Sequence, residues 1–428
     1  MASKDTAPEI TPQAATIPWW KEPTRDQWMT LLATWGGWCL DVFDYFLLAL
    51  VLTEVTKTFG VSLIAIGTVL TATLISRLVG GVIVGTWGDR VGRKLPLMVS
   101  ILTFAVFSAM SGFAPNFKWF FLCRILFGLG MGGEWAAGTP LAMESWPRQS
   151  RGVASGILQG GYPCGYFLAI VTYYFVFPIW GWRVLFLVGI LPALLLVFIR
   201  LRVKESPVFE ARREALQKSG KKETGISAVG LFKPGMLGNT AHACLLMVAA
   251  QTSSFCMTLL WPTYLIRELH LTIGQRTQFV MLFNIFCLFG YWISGALSEK
   301  IGRRITLVYF SLIGALVIPL YSLTHTYYLA MLGAILTGLF ALGLWGVIPA
   351  YLTERFPTSM RAVGIATAFG IGAGIGSFGP TLQTLLVQKA GFTLGQAIAL
   401  GTASCLVALT IAALLGPEPK GRVFSADN

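Results

Sequence analysis

The stretch GWCLDVFDYFLLALVL, residues 37–52, sets two carboxylates, Asp41 and Asp44, in an otherwise apolar run. Residues i and i+3 are neighbours on a helix, so the pair offers two proton-binding groups on one face. An ionised carboxylate at the centre of a membrane helix costs at least ~2.5 kcal/mol, and groups kept at that cost are usually functional. Three more charges interrupt apolar runs: Arg77 in LISRLVGG, and Arg124 and Glu134 in CRILFGLGMGGEW. Arginine stays protonated and meets a carboxylate with two parallel hydrogen bonds. Three acids facing two bases leave at least one carboxylate without a permanent partner and free to bind a proton. Such a set can move one proton and one monocarboxylate together.

The elements that must hold these groups are membrane helices. The 428-residue chain is 55% hydrophobic and 12% charged, where soluble domains carry about 25% charge. Its apolar runs are near the ~20 residues that cross a bilayer as a helix, and the short alternating segments of a membrane β-barrel are absent. Hydropathy predicts an all-α membrane protein with twelve transmembrane helices, at 29–52, 63–87, 95–114, 117–142, 153–176, 183–201, 237–265, 276–298, 305–323, 327–352, 362–388 and 394–416. Residues 1–28 read as a cytoplasmic N-terminal tail without a cleavable signal, with Trp19, Trp20 and Trp28 as interfacial anchors. With both termini inside, Lys57, Lys118, Arg183, Arg267, Arg276 and Lys389 fall outside and Arg77 and Arg124 within spans. All the rest of the 32 lysines and arginines fall inside. That bias is the positive-inside signature of a multi-pass protein of the cell inner (plasma) membrane. The net charge of +13 therefore reports topology, and nucleic acid is not an expected partner. The seven cysteines lie inside spans, without CxxC pairing or a nearby histidine, so no metal site or cofactor is expected.

The chain repeats itself with an offset of 210 residues. GTWGDRVGRK at 85–94 echoes in GALSEKIGRR at 295–304, and ESWPRQSRG at 144–152 in ERFPTSMRA at 354–362. Asp89 and Arg93 thus match Glu299 and Arg303, Glu144 and Arg151 match Glu354 and Arg361, and Trp135 matches Trp345. The reading is two six-helix bundles, 29–201 and 237–416, joined by a cytoplasmic loop at 202–236 and followed by a cytoplasmic tail at 417–428. With an even number of spans each, the halves run the same way through the membrane, related by an axis along its normal. Ser206 followed by Pro207 predicts a short helix in the loop. Gly152, Gly156 and Gly160 recur every four residues in span 5, a spacing that lets helices approach closely.

Six plus six spans with GxxxDRxGRK between spans 2 and 3, echoed between 8 and 9, resembles the major facilitator superfamily. Within it LDVFDYF, LISRLVGG, CRILFGLGMGGEW, AMESWPRQSRGVASG and KPGMLGNT resemble the sialate/lactate:proton symporter branch, bacterial lactate-type carriers nearest. The resemblance implies a major facilitator fold working by alternating access. It also implies a latch that closes the inside, made by Asp89, Arg93, Glu144 and Arg151 and repeated by Glu299, Arg303, Glu354 and Arg361.

Depths counted at 1.5 Å per residue put Asp44 about 12 Å and Arg124 about 10 Å below the outer ends of their spans. Arg77 and Glu134 come level with each other in the inner part of the half. The expectation is two tiers, Asp41 and Asp44 with Arg124 outside, and Glu134 with Arg77 inside. Asp41, Asp44 and Glu134 are then the proton-coupling candidates and Arg124 the carboxylate ligand. Gln159, Tyr162, Gln251, Thr252, Asn284 and Trp345 are candidate substrate contacts, each taken singly better explained by packing or helix–helix hydrogen bonding. His242, near the inner end of span 7, is a further titratable group near neutrality. The leading reading is a monomeric proton-coupled symporter of a small organic anion, most simply an aliphatic monocarboxylate such as lactate or pyruvate. Symport of sialic or aromatic acids, and uncoupled passage of a neutral solute, are the alternatives. No nucleophile–base pair or phosphate loop speaks for an enzyme.

Overall fold

The computed structural model describes residues 18–219, 227–422 and 424. The first part of the N-terminal tail, part of the 202–236 loop and the end of the C-terminal tail lie outside the described residues. Within them the chain is helical, and ten stretches are long and apolar enough to cross a membrane. These are α2 (Ala65–Val91), α3 (Lys94–Gly112), α4 (Phe117–Ser145), the stretch Arg148–Val188, α7 (Pro234–Arg267), α8 (Ile273–Ile301), α9 (Arg303–Ser322), α10 (Tyr327–Thr353), α11 (Thr358–Ala390) and α12 (Leu394–Leu415). Two more complete the expected twelve. One is α1, the 35-residue helix Arg25–Phe59 that carries Asp41 and Asp44. The other appears because Gly181, at φ 72°, breaks the stretch Arg148–Val188. That break separates α5 (151–180) from α6 (182–202).

Local sequence sets the ends of these helices. Thr24 with Gln27, Thr272 with Gln275 and Thr393 with Gln396 close reciprocal capping boxes at the starts of α1, α8 and α12. Gly60 ends α1 in the left-handed conformation at φ 61°. Ser206 caps the linker helix Pro207–Ser219, its Oγ accepting from the Phe209 amide at 3.2 Å. Two helices are locally overwound or underwound near the middle. α4 opens into a π turn at Glu134–Gly138, and α10 into a π turn at Thr337–Leu342 followed by a tight 3-10 turn at Gly343–Gly346. Such irregularities re-aim side chains and concentrate at functional positions; here they carry Trp135 and Trp345.

Across the two halves, α2 packs against α11 and α5 against α8. These crossings are close because they are glycine-lined. A Cβ at Gly85 would stand 2.7 Å from Val363 Cα, and one at Gly156 would overlap the Tyr291 carbonyl. Large apolar side chains such as Ile83, Phe175 and Leu316 remain exposed around the bundle, the outward apolar surface expected of helices that face lipid. Trp19 and Trp20 are exposed, whereas Trp28 packs edge-on against the buried Trp146, ring centroids 4.9 Å apart.

Candidate functional site

The expected tiers do not form as drawn. The Arg77 Nη2 donates to Asp41 Oδ2 at 3.2 Å, both groups buried. Asp44 instead accepts from Ser108 Oγ of α3 at 2.8 Å. Arg124 donates through Nε to Ser111 Oγ at 3.0 Å, and its guanidinium lies over the rings of Phe127 at 4.3 Å and Phe186 at 4.7 Å. Glu134 packs against Gly37 of α1, in a small space walled by Trp38, Trp135, Thr139, Leu158 and Gln159. Two features of the helices explain the difference. α1 runs on to Phe59, seven residues past the expected end of span 1, so depths counted from residue 52 were short by about 10 Å. Residues i and i+3 also differ by about 60° around a helix, enough to turn Asp41 towards α2 and Asp44 towards α3.

Between the halves lies a cavity with about 730 Å³ of empty space, its mouth included. α1 contributes Trp38, Tyr45 and Phe46, α2 Arg77, α5 Gln159 and Tyr162, α7 Gln251, Ser254 and Thr258, α8 Tyr291, α10 Trp345 and α11 Phe369. Arg77 is the one cation on its wall among the described residues. Its guanidinium carbon stands 4.8 Å from the Phe369 ring centre and 5.5 Å from that of Trp38, within cation–π range. Arg77 Nε and Asp41 Oδ1 are buried without a hydrogen-bond partner. The pair is therefore joined by one bond where a two-pronged contact is possible. Around it the aromatic rings interlock: Trp135 stacks on Phe369 at 4.1 Å, Trp38 meets Trp135 edge-on at 5.5 Å, and Trp345 meets Phe369 at 6.3 Å. Trp345 Nε1 donates to Ser254 Oγ at 2.9 Å, fixing that ring's orientation.

Of the expected substrate contacts, Gln159, Tyr162, Gln251 and Trp345 line this cavity. Thr252 bonds back to Val248 O at 2.6 Å, Asn284 to Val280 O at 2.8 Å, and Arg124 sits in its aromatic box; none of the three is on the cavity wall. The sequence reading passed over Trp38, Tyr45, Phe46, Tyr291 and Phe369, which look like packing residues in an apolar run. A usable signal was present for one of them, because Trp38 precedes Asp41 by three places and shares its face.

The repeated loops meet on the face that carries both ends of the described chain. Asp89 accepts from the amides of Ala362 and Val363, each at 3.1 Å, at the start of an α11 segment, and pairs with Arg93 at 3.1 Å. Arg93 also reaches Glu144 at 3.3 Å, and Glu144 takes Arg361 of the other half at 2.7 Å. The second copy does the same in reverse. Glu299 accepts from the Gly152 amide, Arg303 pairs with Glu299 at 2.8 Å and Glu354 at 3.3 Å, and Glu354 takes Arg151 of the first half at 3.0 Å. Residues 210 apart thus exchange partners across the interface, and this face is closed.

Two halves with a largely aromatic cavity between them that carries one cation, and one closed end, are the architecture of a membrane transporter. The Major Facilitator Superfamily matches residues 34–250 and 243–427, and the chain belongs to it. It is 33% identical to a "Probable 4-methylmuconolactone transporter" of Cupriavidus pinatubonensis, covering 94% of this chain and 93% of the relative. It is 27% identical to the sialic acid transporter NanX of Escherichia coli, over 95% and 98% of the two chains. In structure it is similar to the proton:xylose symporter XylE bound to 6-bromo-6-deoxy-D-glucose, with a TM-score of 0.76, 19% identity and coverage of 93% and 98%.

Proposed function

We propose that the chain is a proton-coupled symporter of a monocarboxylate built on a planar, unsaturated or aromatic ring, working by alternating access in the inner membrane with both termini in the cytoplasm. The observation that carries the reading is Arg77, the one cation on the cavity wall among the described residues, within cation–π distance of both Trp38 and Phe369. An aliphatic acid such as lactate would use the cation but leave the aromatic walls unfilled; a ring acid uses both. The methylmuconolactone named for one relative is a carboxylate on an unsaturated ring, which supports the same choice over lactate or sialic acid.

The coupling follows from the single Arg77–Asp41 bond. A substrate carboxylate that takes Arg77 in two-pronged contact displaces Asp41. Asp41, left without its cation in a buried site, takes a proton from the open side, so proton and anion enter the site together. After the halves rock, loss of substrate returns Arg77 to Asp41 and expels the proton. Asp44 and Glu134, each with one buried oxygen lacking a partner, extend the route by which that proton reaches and leaves Asp41. Arg124 has no part in substrate contact here; from α4 it supports Asp44 of α1 electrostatically. Uptake of labelled nicotinate, benzoate, sialate and lactate into proteoliposomes, with and without an inward proton gradient, tests the reading. Ring acids should accumulate only with the gradient. Lactate accumulating as well as the ring acids, or accumulation indifferent to the gradient, would sink it.

A further inference from the structure

Arg355 is buried at 5% exposure, and no carboxylate oxygen of the described residues lies within ion-pair distance of it. Its partners are neutral. Asn239 Oδ1 accepts from Nε at 2.9 Å and also from Nη2, Nη1 donates to Tyr351 Oη at 3.2 Å, and Nη1 meets His242 Nδ1. The other ring nitrogen of His242 donates to Ala412 O at 2.8 Å, which makes Nδ1 the acceptor for Arg355 and keeps the imidazole neutral. A buried guanidinium without a counter-charge is costly, by several kcal/mol for an unpaired ion.

The cation opens on a second cavity, apart from the central one, with about 620 Å³ of empty space. Asn239, Glu354, Arg355 and residues 417–422 line it. Its acids are already committed. Glu354 pairs with Arg151 and Arg303, and Glu418 accepts from the amides of Arg303, Arg304 and Lys420. Among the described residues its other cations have only carbonyl partners. Lys420 Nζ donates to Lys300 O at 3.1 Å, and Arg422 Nη1 to Glu354 O and Arg355 O. Three positive charges therefore converge on a space whose two carboxylates are already hydrogen-bonded elsewhere.

We propose that this cavity binds a phosphate group, with Arg355 as its buried anchor and Lys420 and Arg422 closing over it. Guanidinium forks match phosphate oxygens two at a time, and the acceptors that now surround Arg355 are neutral, so a charged phosphate oxygen outcompetes them. The ligand also has a mechanical consequence. Arg422 and Phe424 reach across to the other half, where the Arg422 carbonyl accepts from Arg151 and the Phe424 ring lies 3.8 Å from the Arg151 and 3.9 Å from the Arg361 guanidinium carbon. A phosphate that fastens Lys420 and Arg422 fastens this strap, and so favours the state in which the latch face is closed.

The phosphate can be free in solution or the headgroup of an anionic lipid, and two arms of one experiment tell these apart. The purified full chain in neutral detergent is melted against inorganic phosphate, with chloride holding ionic strength constant; it is then melted in phosphatidylcholine nanodiscs with and without phosphatidylglycerol. A ligand of the folded state raises the melting temperature saturably. The expected result is such a rise with one of the two phosphates, its half-saturation weakened at least tenfold in Arg422→Gln and Lys420→Gln, and the rise lost in Arg355→Gln. The two surface variants keep the test decisive if Arg355→Gln does not fold. No rise with either source, or an equal rise in Arg422→Gln and Lys420→Gln, overturns the site.

Discussion

At the scale of the residue, function turns on which cation a substrate carboxylate meets. Arg77 and Arg124 are both buried arginines in the first half, but only Arg77 stands on the central cavity. Arg77→Lys keeps the charge and loses the two-pronged fork, so equilibrium binding of a ring acid should weaken about tenfold or more, which corresponds to about 1.4 kcal/mol. Arg124→Lys should leave that affinity within about twofold. Affinity falling with Arg124 and not with Arg77 would return the anion site to α4. Asp41→Asn should keep binding, because asparagine still accepts one bond from Arg77, and should abolish accumulation driven by a proton gradient while substrate exchange continues. Gradient-driven accumulation by Asp41→Asn at the unsubstituted level would exclude Asp41 as the coupling acid. The sequence displayed all five charges, since a charge in an apolar run is conspicuous. Their pairing stayed hidden, because it depends on where α1 ends and how far three residues turn around a helix. Trp38 and Phe369 were hidden for another reason: in a membrane span, a ring that binds and a ring that packs have the same composition around them.

At the scale of the element, the latch is a contact between loop carboxylates and helix starts. Asp89 receives two amides at the start of the α11 segment beginning at Arg361, where a negative charge also meets the positive end of the helix dipole. Because those amides belong to the other half, the interaction exists only while this face is closed. Asp89→Ala should therefore raise the population open on this face, read as faster maleimide labelling of a cysteine placed at Ser155, whose hydroxyl bonds Gly346 and Ala350 across the closed interface. Gly156→Leu should do the same by a different cause, since its side chain would occupy the space of the Tyr291 backbone. Normal expression with unchanged labelling in both variants would leave these features as folding elements. The motif repeat singled out the residues of this contact in advance. The exchange of partners was not legible, since a 210-residue offset says which positions are equivalent but not which of them touch.

At the scale of the whole molecule, the two halves are joined on the latch face by pairs related through the pseudo-twofold axis, Glu144 with Arg361 and Glu354 with Arg151. All four groups are buried, and removing one partner of a buried pair costs about 3–5 kcal/mol. That cost falls on the closed state alone, so Arg361→Gln should move the balance between states by a factor of about a hundred to a few thousand towards opening here. The converse variant locks the molecule. A Cβ at Gly88 would stand 3.8 Å from the Cβ of Ala362 across α2 and α11, the separation a disulfide spans, so cysteines at both positions should form a disulfide under mild oxidation. If transport requires the halves to rock about the central cavity, the locked protein should still bind a ring acid from the opposite side with unchanged affinity. It should carry none through, and reduction should restore uptake. Transport persisting at full rate with the disulfide formed would show that the α2–α11 contact need not open, and rocking of two rigid halves would no longer describe how the carrier works.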